Sequence, residues 1–101
     1  MIFSEEQKRI IETLSGTAYT VAMIAQYLDI PPAELQHEFT IPESEFRYHY
    51  DRGILLKEAE RDISLSENAK NGSITAIQIL ERRMEKKQMS DFKQKLLHGH
   101  Q

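Results

Sequence analysis

The chain has 101 residues, 40% of them apolar and 29% charged, with a net charge of −3. That balance belongs to folded globular proteins rather than disordered ones, and the length suffices for a modest core. The absence of Cys excludes disulfides and thiolate metal sites, the longest nearly apolar stretch, residues 18–25, is far below a membrane span, and the start MIFSEEQKRI lacks a secretory pattern, so a cytoplasmic protein without membrane association is expected.

The helical period dominates throughout, and no short run alternates as a strand would. Ser4 and Gln7 form a capping box, with Glu5 and Glu6 at the positive end of a helix dipole. Ile10, Ile11 and Leu14 then make one apolar stripe, and Gly16 is placed to supply a left-handed stop. A first helix over residues 5–15 follows.

Residues 20–39, TVAMIAQYLDIPPAELQHEF, carry the spacing of a DNA-binding helix-turn-helix. Thr20 is the N-cap of the second helix, whose inner face is Val21, Ile24, Ala25 and Leu28. Asp29 stands where the turn needs a residue tolerant of positive φ. Ile30 packs into the turn, and Pro31 and Pro32 start the third helix, where a missing N–H costs nothing. Leu35 and Phe39 face the core, and Thr40-Ile41-Pro42 ends that helix.

A long fourth helix is expected over residues 43–70, with Phe46, Tyr50, Ile54, Leu55, Ala59 and Ile63 recurring near every fourth position. Gly53 interrupts it, and a glycine inside a good helical pattern marks close approach of another backbone. Asn71-Gly72-Ser73 is the strongest break in the chain: a Gly stop followed by a Ser cap. A fifth helix over residues 74–88 carries Ile77, Leu80 and Met84 on one face. Ser90-Asp91 is read as the start of a short further helix through Phe92, Leu96 and Leu97, before a polar tail.

The expected fold is therefore all-α, about five helices, with an N-terminal helix-turn-helix three-helix head followed by an antiparallel αα-hairpin. The head spans residues 1–42 and the hairpin 43–88, with 89–101 a short helix or flexible tail, the whole forming one compact domain. The hairpin carries more apolar surface than so small a head can cover. A second copy of the chain is the expected partner, through Tyr50, Ile54, Ile63, Ile77, Leu80 and Met84.

Exposed positions of the reading helix that reach base edges in the usual docking are Gln36, His37 and Thr40. Lys8 and Arg9 are candidate phosphate contacts on the first helix. Against this stands charge: residues 1–50 hold three cations and eight acids, and the reading helix carries Glu34 and Glu38 without one Lys or Arg. The strongest basic patch lies elsewhere, at Arg82, Arg83, Lys86 and Lys87. It reads either as a solvated face pairing with Glu81 and Glu85, or as a surface that tracks phosphates or contacts the acidic head of a neighbouring subunit.

No catalytic residue is assigned. The histidines are His37, His49, His98 and His100, without an H-E-x-x-H spacing, a nucleophile elbow or a glycine-rich phosphate loop. A protein that is not an enzyme, with no cofactor and no metal, is expected.

The stretch FRYHYDRGILLKEAERDISLSENAKNGSITAIQILERRM, residues 46–84, resembles the small subunit of phage DNA-packaging terminases and related prophage helix-turn-helix proteins. The matching residues are Phe46, Tyr50, Arg52-Gly53, Glu58-Ala59, Ala69, Gly72-Ser73, Ala76, Leu80 and Arg82-Arg83. The resemblance implies a homo-oligomer whose heads bind double-stranded viral DNA and present it to the large terminase subunit. Two other readings stay open: a helical protein–protein interaction module, and a small dimeric helix-turn-helix transcription regulator.

Overall fold

The structure, a computed structural model, describes residues 1–97. It is all-α: α1 Glu5–Gly16, α2 Val21–Leu28, α3 Pro32–Thr40, α4 Glu45–Lys70 and α5 Ile74–Leu97. No helix among the described residues is long and apolar enough to cross a membrane.

The helix starts follow their caps. Ser4 Oγ accepts from the Gln7 amide while the Gln7 side chain accepts from the Ser4 amide, completing the capping box. Thr20 Oγ1 accepts from the Met23 amide, and Pro32 occupies the first turn of α3. Ser44 begins α4, accepting from the Arg47 amide at 3.0 Å and donating to the Glu38 carbonyl at 2.7 Å. One hydroxyl thus ties the end of α3 to the start of α4.

Three helices end in the same way. At α1, α2 and α4 a residue just past the helix is left-handed: Ala18 with φ 70°, Asp29 with φ 58° and Gly72 with φ 91°. The amide one residue further on reaches back to a carbonyl of the last turn, Tyr19 to Leu14, Ile30 to Ala25 and Ser73 to Asn68. These are Schellman closures. Asp29 and Gly72 hold the positions expected of them. Gly16 does not, because it is still helical and the stop lies at Ala18. An L-residue there costs about 1–2 kcal/mol. Ala18→Gly is accordingly expected to raise stability by about 1 kcal/mol, read as a higher urea midpoint at unchanged slope.

Gly16 has another task. A Cβ built on it would stand 2.8 Å from the Gly53 carbonyl oxygen. One on Gly53 would overlap the Glu12 carbonyl and Ser15 Oγ and lie 2.7 Å from Glu12 Cα. The two glycines let α1 and the first half of α4 cross with backbones in contact. Ser15, buried at the crossing, satisfies its hydroxyl on the Glu12 carbonyl at 3.2 Å.

The chain forms two compact units, residues 1–59 and residues from 60 onward. The division falls inside α4 and not after residue 42. Phe46, Tyr50 and Gly53 all pack into the head, which carries the first unit well into α4. The head core consists of Phe3, Ile11, Val21, Ile24, Ala25, Leu35 and Phe46, with Leu14, Leu28, Ile30, Phe39 and Tyr50 packed against it. Phe46 is its centre, fully buried, with ring centroids of Phe3, Tyr50 and Phe39 at 6.2, 5.8 and 6.4 Å.

In the second unit, the end of α4 and α5 form the hairpin around the Asn71–Ser73 break, with Ser73 Oγ accepting from the Ala76 amide. Ala76 is buried; Ile63, Ile74, Met84, Met89, Phe92 and Leu96 are more than half exposed. The expected break at Ser90-Asp91 is absent, and α5 continues to Leu97. No Gly or Pro stands between Ser73 and Leu97, and the Lys, Gln, Met and Leu residues there favour helix.

Candidate nucleic-acid interface

Three residues, Asp29 to Pro31, join α2 to α3. Ile24, Ala25 and Leu35 are fully buried between them, so the turn is fixed from below as well as by its left-handed residue. That fixes which side of α3 is outward. Gln36, His37 and Thr40 lie toward that side, Gln36 and Thr40 exposed and His37 exposed with them, as are Pro32, Ala33 and Glu34. A Gln in this place can bond an adenine edge through both ends of its amide, and a His can donate to a base or phosphate. Thr40 is less available, since its hydroxyl donates to the His37 carbonyl at 2.6 Å.

The electrostatics around this face are not those of a simple DNA reader. Lys8 sits 3.1 Å from carboxylate oxygens of both Glu5 and Glu45, and these contacts raise its pKa, that with Glu45 most strongly. The same contact holds the Glu45 carboxyl below its ordinary value. Lys8 is therefore engaged inside the head, whereas Arg9 is exposed. Arg47 bonds Asp51 and the Phe39 carbonyl, and its guanidinium lies 4.5 Å from the Phe39 ring centre.

A further cluster joins α1 to α4 beside the glycine crossing. Glu12 accepts from His49 Nδ1 at 2.6 Å and from Arg52 at 2.8 Å. Burial works to raise the Glu12 pKa, but the bonds from His49 and Arg52 outweigh it and leave the carboxyl lowered. The cluster links residues 37 and 40 positions apart, and nothing in the local sequence signals it.

On the hairpin the four candidate cations divide into two pairs. Arg83 and Lys87, from α5, both bond Asp62 of α4, Lys87 at 2.7 Å. These bonds, Arg83 first, hold the Asp62 carboxyl down at about 2. Arg82 and Lys86 are exposed. Because the Asp62 pKa in the folded chain lies below its ordinary 3.8, its contribution is present above pH 4 and is lost as pH falls toward 2. Helicity measured by far-UV circular dichroism should fall across that window, and Asp62→Asn should remove part of the drop while lowering stability at neutral pH.

Of the residues expected to mediate self-association, Tyr50 lies within the head. Its ring packs edge-on to Phe39 at 5.1 Å and belongs to the head core. Ile54, Ile63, Ile77 and Met84 are exposed, and Leu80 is half-buried. His98 and His100 lie outside the described residues. Fold and surface together define an all-α chain in which a helix-turn-helix head is followed by an αα-hairpin. No protein-family model, curated protein or solved structure matches the chain.

Proposed function

We propose that this chain is a non-enzymatic DNA-binding protein of phage or prophage type, most like a terminase small subunit, acting in the cytoplasm as a homo-oligomer. The observation that carries the reading is the helix-turn-helix itself. It has a three-residue turn with Asp29 left-handed, Ile24, Ala25 and Leu35 buried beneath it, and Gln36 and His37 outward on α3. The exposed apolar side chains of the hairpin support self-association, and several weak heads joined in one assembly gain avidity that no single head needs. The large terminase subunit is the further partner this reading implies.

The acidic character of α3 and the engagement of Lys8, Arg47 and Arg52 by carboxylates favour a second reading, a helical module that binds a basic protein surface. Fluorescence anisotropy with generic duplex DNA, titrated from low to physiological salt, separates the two. The first reading expects binding at low salt that weakens steeply as salt rises. No binding at the lowest salt overturns it, because the phosphate contribution is greatest there. A monomer at micromolar concentration in light scattering would remove the oligomer.

A further inference from the structure

On α5 the cations that bond Asp62 and those that do not lie on different faces. At about 100° per residue, Arg82, Lys86 and Lys93 fall within about 40° of one another, roughly opposite the face that Leu80 and Lys87 turn toward α4. Thr75, Gln78 and Met89 complete the same line, and all six residues are exposed. No ion pair holds Arg82, Lys86 or Lys93 among the described residues. The nearest acids, Glu81 and Glu85, stand to one side of these three cations. From Arg82 to Lys93 the line extends about 16 Å.

We propose that this outer line of α5 is a binding site for the phosphate backbone of duplex DNA, and that it supplies the electrostatic part of the grip that α3 lacks. The inference rests on the DNA-binding reading and divides its labour. Phosphate contact supplies most non-specific affinity and needs cations that exchange small counterions for phosphates. Lys8, Arg47 and Arg52 already face carboxylates, as do Arg83 and Lys87, so binding DNA would first have to break those pairs. Among the described residues Arg82, Lys86 and Lys93 have no such bonds to give up. Thr75 and Gln78 add uncharged donors at the start of the line, suited to phosphate oxygens. The α3 face is then left to recognise shape or base edges with Gln36 and His37.

The test uses the full chain and a labelled generic duplex of about 30 base pairs, three helical turns, with anisotropy read at several salt concentrations. The triple variant Arg82→Gln, Lys86→Gln, Lys93→Gln changes exposed positions only, and circular dichroism checks that its helicity is kept. Relative to the unaltered chain, its slope of log K against log salt should be shallower by about 2–3, near 0.9 for each phosphate no longer neutralised, with at least a tenfold weaker affinity at low salt. Gln36→Ala with His37→Ala should leave that slope in place. If the unaltered chain binds and the triple variant keeps both slope and affinity, the α5 site is wrong while DNA binding stands. If the unaltered chain does not bind, both fall. A loss of DNA binding that coincides with a changed assembly mass in light scattering makes the line a contact between copies and overturns the assignment.

Discussion

Phe46→Ala is expected to destabilise the head by about 4 kcal/mol, enough to unfold most of a small unit whose total stability is of that order. The ring is fully buried and meets Phe3, Phe39 and Tyr50, so its removal leaves a cavity bounded by three aromatic rings that cannot all move in together. It also removes the residue through which α4 joins the core made by α1, α2 and α3. Urea unfolding followed by circular dichroism checks this, and a loss below about 1 kcal/mol would show that the core does not depend on the ring. Phe46→Leu keeps most of the volume and should cost much less.

Gly53→Ala is the second large effect, and its sign runs against helix propensity. In an exposed helix this change is worth about 1 kcal/mol in favour of Ala. Here the added methyl would overlap the Glu12 carbonyl and Ser15 Oγ. Forcing extra volume into a close-packed contact costs about 1–3 kcal/mol, and the obstacle is backbone that cannot rotate away. Because the obstacle is backbone, the upper end of that cost applies, and after the gain in helix propensity a net loss of up to about 2 kcal/mol is expected. Adding Ser15→Gly should recover only part of it, since the Glu12 backbone remains. Full recovery would mean that the serine side chain, and not the crossing of two backbones, sets the limit. Parting the helices should also lengthen the bonds from His49 and Arg52 to Glu12, so the Glu12 carboxyl should titrate closer to its ordinary value in Gly53→Ala.

Features set by neighbours in the chain were legible in the sequence. Ser4 with Gln7, Thr20, Asp29 and Pro32 act within one helical turn, and each stands in the structure as its local chemistry requires. Gly53 was legible too, because a glycine weakens a helix and close backbone approach is what offsets that cost. Gly16 was misread for a tertiary reason. Its proximity to a helix end suggested a stop, but the packing of Gly53 needs it inside the helix, and the stop passed to Ala18. Tyr50 shares the spacing of Ile54 and Ile63, and periodicity cannot tell the turn of α4 that enters the head from the turns beyond it. The partners of Glu12 and Asp62 depend on elements that meet only after folding. At the candidate interface, the exposure of Gln36 and His37 follows from the motif. The division of the basic patch into engaged Arg83 and Lys87 and unengaged Arg82 and Lys86 needed Asp62 in place.

The single helix α4 passes from a closely packed stretch at Phe46 and Gly53 to one where Ile63 is 60% exposed. Amide hydrogen exchange along it should therefore be graded and not uniform. Protection should be highest at the contact with α1, where opening requires the head core to open. It should fall toward Lys70, where α4 is held by its pairing with α5, Asp62 to Arg83 and Lys87 included, and no longer by the head core. One continuous helix thus serves as a scale on which the stability of the head and of the hairpin can be read separately, amide by amide.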